Sequence, residues 1–151
     1  MDSVVDKLII RKIELKDADA ISGIQADITK SEDKADFRRI IETQILKKGE
    51  EASFVAEVEG RVVGYMISYI VYAGFGLDKS AWIASLGVDQ KYMGQDIGRR
   101  LAEEIFQVYV GMGIRYIFTS VRWDSVDLLS FFKTLGFDRS NFINLRKELE
   151  S

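Results

Sequence analysis

The sequence predicts an α+β domain built on a mixed sheet. Two observations lead there. The spacing of apolar residues switches repeatedly between the two-residue period of strands and the 3.6-residue period of helices. The resulting order is strand, two helices, three strands, helix, strand, helix, strand. The chain is also continuous in character: 151 residues with no repeat, low-complexity tract or linker, the size of one folding unit spanning 1–151.

Residues 8–12 (LIIRK) form a short β-branched strand. Residues 15–28 carry Ile21, Ile24 and Ile28 at helical spacing, with Asp17 or a neighbour to serve the first turn. Residues 33–48 make a second amphipathic helix, striped by Phe37, Ile40, Ile41 and Ile45, with Gly49 as its stop. Residues 53–59 alternate, Gly60-Arg61 is a turn, and 62–72 (VVGYMISYIVY) is a long strand, so the three read as a hairpin. A glycine-containing loop over 73–79 leads to the strand 82–88 (WIASLGV). Residues 97–110 are a helix with Leu101, Ile105 and Val108 on one side, ended by Gly111 and Gly113. The strand 116–121, the helix 125–135 stopped by Gly136, and a last strand at 142–146 complete the order.

Composition excludes several chemistries. There is no cysteine, so disulfides, thiolate nucleophiles and cysteine-bound metals are out. There is no histidine, which removes the commonest general base and metal ligand; a Ser-His-Asp triad is impossible and no metal site is expected. A net charge of −3 gives no broad attraction to nucleic acid or anionic membrane. Neither a signal peptide nor a membrane-length apolar run is visible, and a cytoplasmic location is the expectation.

The stretch KYMGQDIGRRL, residues 91–101, points to chemistry. Gly94 and Gly98 flank the point where a strand region gives way to a helix. The first N–H groups of a helix lack internal partners and sit at the positive end of its dipole, so they hold anions. Glycines there let backbone approach phosphate closely. On spacing alone, Gly94 as a plain turn residue and Gly98 as a helix-packing contact fit equally.

The longer stretch SLGVDQKYMGQDIGRRLAEEI, residues 85–105, resembles the central motif of the GCN5-related N-acetyltransferase superfamily. That motif is a strand ending in Leu-Ala-Val, then Arg/Gln-x-x-Gly-x-Gly/Ala at a helix start. VRWDSVDLLSFFKTLGF, residues 121–137, resembles the family's second signature, a helix running into a Gly-Phe turn. The element order matches over almost the whole chain.

The resemblance implies a mixed, mostly antiparallel central sheet with a splayed parallel pair, 82–88 and 116–121, flanked by about four helices. It implies an enzyme that moves an acetyl group from acetyl-CoA to a primary amine, of a small molecule or a peptide, by direct attack. The pantetheine arm would pair with the first splayed strand like an added strand. Leu86, Gly87 and Val88 would supply that strand's contacts, with a backbone N–H of Leu86 or Val88 polarising the thioester carbonyl. The pyrophosphate would rest on Met93, Gly94, Gln95, Asp96, Ile97, Gly98 and Arg99. Ser125 stands where the family has an asparagine that bonds the pantetheine, and Phe132 where it has the tyrosine that reprotonates the leaving thiolate.

Met93 and Asp96 in the loop and Phe132 on the helix are departures from the pattern that bear on the chemistry. Met93 replaces Arg or Gln, Asp96 replaces the second motif glycine, and Phe132 has no hydroxyl. A carboxylate about 6 Å from a phosphate charge costs about 3 kcal/mol at an effective dielectric of about 20. Asp96 also suits a helix N-terminus, as a cap or a partner for the dipole. The positions where the family often has a glutamate are Trp82, Ala84 and Ser120. Tyr65, Tyr69, Tyr72, Glu57 and Glu59 are the remaining proton-handling candidates, with packing or solvated roles as their alternatives. A second reading is therefore a degenerate member of the fold that binds coenzyme A or a partner without turnover. In the family the first two helices shape the acceptor site, which here includes Asp27, Glu32, Asp33 and Asp36. The aromatic loop at 72–77 and the exposed final strand suit a homodimer.

Overall fold

A computed structural model describes residues 7–28, 35–46, 50–74 and 76–150. Its elements are β1 (Leu8–Lys12), α1 (Ala18–Ile28), α2 (Phe37–Leu46), β2 (Phe54–Val58), β3 (Arg61–Tyr72), β4 (Lys79–Val88), α3 (Ile97–Gly111), β5 (Ile117–Thr119) and α4 (Val126–Thr134). The strands form one five-stranded sheet in sequence order. β1 to β4 pair antiparallel and β4 pairs with β5 parallel.

Period-two alternation divides the core between the two faces of this sheet. Val55, Tyr65 and Ile67 point toward α1 and α2, where Ile21, Ile24, Phe37 and Ile41 close the layer. Ala56, Met66 and Ile83 point the other way, against Ile97, Leu101 and Ile105 of α3 and Phe132 of α4. α3 lies close on the sheet because Gly64 has no side chain; a Cβ there would stand 3.0 Å from Ile97 Cγ2. The β2–β3 hairpin turns at Glu59 and Gly60, both at positive φ, 52° and 81°. That is the twist a two-residue hairpin needs.

Two polar clusters tie the elements together. Arg11 on β1 makes a bidentate pair with Asp17 at 2.7 and 2.9 Å and bonds Glu57 on β2 at 3.0 Å. The hydrogen bond from Arg11 to Asp17 raises the guanidinium pKa further against its burial. On the other side of the sheet, Ser68 bonds Ala52 O and the Tyr109 hydroxyl, and Gln44 Nε2 donates to Ser68 O at 2.8 Å. These buried groups are satisfied by one another, which fixes α2, β3 and the end of α3 in one arrangement.

Two expectations are corrected here. No strand forms at 142–146: residues 138–150 join no helix or strand. Alternation alone does not make a strand, which needs a backbone partner, and this segment meets β5 and the residue after it through side chains. Phe142 packs on Phe118 at 6.2 Å between ring centroids, and Asn144 Nδ2 donates to Ser120 Oγ at 3.1 Å. The second helix is described from Phe37; its proposed start at 33–34 and its end with the Gly49 stop lie outside the described residues. So do Glu32 of the acceptor region and the aromatic of the 72–77 loop.

Candidate active site

β4 and β5 are register partners only from Ala81–Ile117 to Ile83–Thr119. Thr119 Oγ1 donates to Ile83 O at 3.0 Å across the last of these rungs. Beyond it the strands separate. The cause lies on the other side of β4: Ile67 pairs with Ser85 but Ser68 pairs with Ile83, so Ala84 is an extra residue. Such a bulge bends its strand, and here the bend takes 85–88 away from β5.

The direction of the freed backbone follows from the β3 ladder. Asp89 N–H donates to Val63 O at 2.8 Å. Bonded positions alternate along an antiparallel pair. The pair Tyr65–Gly87 is therefore bonded, while Leu86 and Val88, opposite Met66 and Gly64, turn their N–H and C=O groups away from β3. They face the side that β5 has left.

The opening is a cleft of about 180 Å³ whose lining includes Gln25, Tyr65, Ser85, Leu86, Thr119, Ser120 and Phe132. Tyr65 is the one titratable side chain among its lining residues. Its hydroxyl bonds Ser85 Oγ at 3.0 Å, and its ring meets Phe37 edge-on at 5.7 Å. Burial pushes its pKa up, opposed by the bond to Ser85. Tyr65 thus holds its proton through neutral pH. Gly87 beside it is required by space: a Cβ would stand 2.9 Å from Tyr65 Cε1 and 3.0 Å from Ile28 Cδ1.

Val88 leads by a turn at 89–96 into α3. Gly94 has φ 79° and open space around it, so it serves backbone shape. Asp96 has φ 65°, the left-handed region, directly before the helix. The first bond of α3 runs from Arg100 N–H to Asp96 O at 3.1 Å. The N–H groups of Ile97, Gly98 and Arg99 precede it and emerge at the helix N-terminus. Met93 N–H is engaged with Gln90 O at 3.3 Å, so the open run of amides begins after it. Its side chain is exposed.

Asp96 makes no capping hydrogen bond. Its carboxylate instead pairs with Arg99 Nε at 3.3 Å. The capping alternative is not realised; the carboxylate and the loop's cation balance each other. Gly98 is a packing glycine as well as an amide donor, since a Cβ would stand 3.0 Å from the Phe131 ring of α4.

The other candidates fall outside the cleft's chemistry. Glu57 is held by Arg11, and Glu59 by Lys7 at 3.1 Å. Tyr72 donates to Glu50 at 2.8 Å, and Tyr69 is exposed. Trp82 stacks on Phe118, and Ala84 is exposed at the bulge. Phe132 is buried against Phe131 and Phe137, where it lines the cleft with an apolar surface. Ser125 immediately precedes α4 and makes no side-chain cap bond. Asp27 is exposed, and Asp36 accepts from Arg39 N–H at 3.1 Å. Sequence reasoning missed Ser85 and Thr119. The signal for Ser85 was present: it lies two residues from Gly87 on a strand, hence on the same face as Tyr65's neighbour.

Comparison with known proteins identifies the family. The model of the acetyltransferase (GNAT) family matches residues 18–137. A protein of Methanocaldococcus jannaschii described as an uncharacterised N-acetyltransferase is 27% identical over 131 residues, 86% of this chain and 78% of that one. A ribosomal-protein-alanine N-acetyltransferase from Brucella melitensis biovar Abortus 2308 superposes with a TM-score of 0.75 at 14% identity, over 95% of this chain and 99% of that chain. AAC(6')-Iy in complex with the bisubstrate analogue CoA-S-monomethyl-acetylneamine superposes with a TM-score of 0.74 at 16% identity, over 94% and 99%. At these identities the structural likeness is one of fold.

Proposed function

The chain is an acetyltransferase of the GNAT family, and from that premise we propose that it transfers the acetyl group of acetyl-CoA to a primary amine of a small molecule or a peptide. The observation that carries the reading is the bulge-driven separation of β4 from β5. It leaves Leu86 and Val88 with outward-facing backbone groups on a strand that leads, through one turn, to the open amides of α3.

The residues fit the donor. Its extended amide-bearing arm matches the outward edge of Leu86 and Val88, and its pyrophosphate matches the N–H groups of Ile97, Gly98 and Arg99. Gly94, Gln95 and Asp96 shape the approach, and the Arg99 guanidinium, paired with Asp96, would supply positive charge to it. Phe132 bounds the α4 side, with Ser125 directly before that helix, and Gly87 and Tyr65 the α1 side. When bound, acetyl-CoA supplies an activated thioester that an amine attacks without a protein nucleophile, which suits a chain with neither cysteine nor histidine. The backbone N–H of Leu86 or Val88 is placed to polarise a carbonyl in the cleft. Tyr65 is the proton donor of the site: it stays protonated, is bonded to Ser85 at 3.0 Å, and so supplies the hydroxyl that Phe132 lacks. Among the described residues no carboxylate lines the cleft. The catalytic unit spans 1–151 and acts in the cytoplasm.

The apolar Phe132 favours one further reading, a coenzyme A-binding module without turnover. One experiment separates the two. The melting temperature is followed against acetyl-CoA, and thiol release is followed across a panel of amines. A rise in melting temperature with thiol release supports the transferase. A rise without release supports the binding module. No rise at millimolar ligand refutes both.

A further inference from the structure

A row of aromatic rings crosses the sheet beside the transfer cleft. Tyr69 on β3 is the register partner of Trp82 on β4, and Trp82 is the register partner of Phe118 on β5. Register partners share a face of the sheet. Tyr69 is four residues from Tyr65 along β3, so the row lies on the α1–α2 side. Trp82 stacks on Phe118 at 5.2 Å between ring centroids, and Phe142 meets Phe118 edge-on at 6.2 Å. Tyr116, two residues before Phe118, continues the row at 6.4 Å.

Rings on a sheet ordinarily belong to a core. Among the described residues, neither Trp82 nor Phe118 is part of the apolar cores on the two sides of this sheet. Tyr69, Phe142 and Tyr116 are 37%, 48% and 49% exposed. The row is therefore a ring surface that reaches solvent.

Its position ties it to the cleft. Trp82 directly precedes Ile83, and Phe118 directly precedes Thr119. Ile83 and Thr119 form the last rung before the strands part, and both line the cleft. A donor seated on Leu86, Val88 and the α3 amides leaves this other end to the acceptor. The described residues lining the cleft carry no charge. What this end presents to an acceptor is ring surface.

We propose that the acceptor is a primary amine carrying an aromatic ring a few bonds from its nitrogen, the ring lying on Trp82 and Phe118 and the nitrogen reaching into the cleft. The proposal rests on the transferase reading and narrows its acceptor to one class. A second ring adds to the row by offset or edge-on contact, whereas a strongly hydrated chain would lose water there without a partner. In the transfer, the nitrogen lone pair forms a bond to the acetyl carbon and the C–S bond breaks. Its electron pair leaves on sulphur, and one amine proton ends on the thiol. The row makes no bond; it sets specificity by positioning the nitrogen.

The test compares 2-phenylethylamine with 2-aminoethanol, reading kcat/KM for each from thiol release. Wild type favours the aromatic amine by at least about tenfold. Trp82→Ala lowers that ratio about tenfold, and Tyr69→Ala, at the exposed end of the row, about threefold. Circular dichroism checks both folds, and a ratio is not moved by a smaller folded fraction. A wild type that does not distinguish the two amines overturns the proposal. So does a ratio that both folded variants leave unchanged. A second measurement needs no turnover. The chain has 2 tryptophans, so Trp123→Phe leaves Trp82 as the sole reporter. 2-Phenylethylamine at millimolar concentration shifts its emission saturably, and 2-aminoethanol does not. An emission unmoved by 2-phenylethylamine overturns the row as the ring's seat. The two readings fail differently. Equal thiol release from both amines refutes the acceptor class alone. An emission shift without thiol release from either amine refutes the transferase reading and upholds the row as a ring-binding surface.

Discussion

The proposed anion cradle at the start of α3 and the proposed transfer cleft between β4 and β5 lie at successive points along one run of chain, yet they are built from different materials. The cradle is backbone: amides of Ile97, Gly98 and Arg99, set by the turn through Gly94 and Asp96. The cleft is side chains: Tyr65 and Ser85 on one wall, Phe132 on the other. A backbone site tolerates side-chain drift. Met93 and Asp96 depart from the family pattern, and the amides are still presented. A side-chain site does not. With Phe132 in place of a tyrosine, the proposed proton donor comes from another element: Tyr65 of β3, the titratable side chain among the cleft's described lining residues.

The sharpest way to break this contrast is Tyr65→Phe. It keeps the ring against Phe37 and removes only the hydroxyl. Turnover falls about a hundredfold, the lower range for loss of a positioned proton donor, while KM for acetyl-CoA is unchanged. Thiol-release kinetics read both, and a fall of less than about threefold returns Tyr65 to a packing role.

Steric variants come next. Gly87→Ala drives a methyl to 2.9 Å from the Tyr65 ring, and Gly98→Ala drives one to 3.0 Å from Phe131. Each destabilises by about 1–3 kcal/mol, the usual cost of overpacking. The two differ in what else they do. Gly87→Ala displaces Tyr65 and lowers turnover, whereas Gly98→Ala acts on the α3–α4 contact. Denaturant melts and kinetics together distinguish them; equal effects on turnover at equal stability would erase the contrast.

Asp96→Gly has a smaller effect of the opposite sign. It relieves a left-handed conformation worth about 1 kcal/mol, and it frees Arg99 from the pairing at 3.3 Å. Stability rises by about that amount, and acetyl-CoA binds about tenfold more tightly by calorimetry. Unchanged affinity would mean that the carboxylate never faces the phosphates.

The smallest effect is alkaline. Burial raises the pKa of Tyr65 and of Tyr109 above the ordinary value of 10.0. The fold therefore favours the protonated phenols, a contribution complete below pH 10 and lost as pH rises through the folded values. Tyr65→Phe and Tyr109→Phe each give a shallower loss of melting temperature above pH 10 than wild type. Parallel curves would show that neither phenol is coupled to folding.

The same contrast governs what the sequence revealed. Element order up to the last helix, the hairpin and the stops at Gly113 and Gly136 were legible, because periodicity and turn chemistry are local; the splayed pair came from the family resemblance. The turn shape at Gly94 was legible from its glycine, whereas its reading as an anion cradle rests on the family resemblance. The bulge at Ala84 was not, since nothing in WIASLGV marks an extra residue; it exists only relative to β3. Nor was the Tyr65–Ser85 bond, which joins residues on two strands whose register that bulge shifts. The strand read at 142–146 failed for a related reason: its alternation is real, but a strand needs a neighbour. Glu57 looked available until Arg11 and Asp17 were brought to it across the sheet.

The central claim is that backbone at the α3 N-terminus and the β4 edge holds the donor. A titration of the isotopically labelled protein with coenzyme A, followed by amide chemical shifts, tests it most directly. The account predicts the largest changes at Gly94, Ile97, Gly98 and Arg99, with a second group at Leu86 and Val88. Saturable binding whose largest changes fall elsewhere, with these amides unmoved, would contradict it.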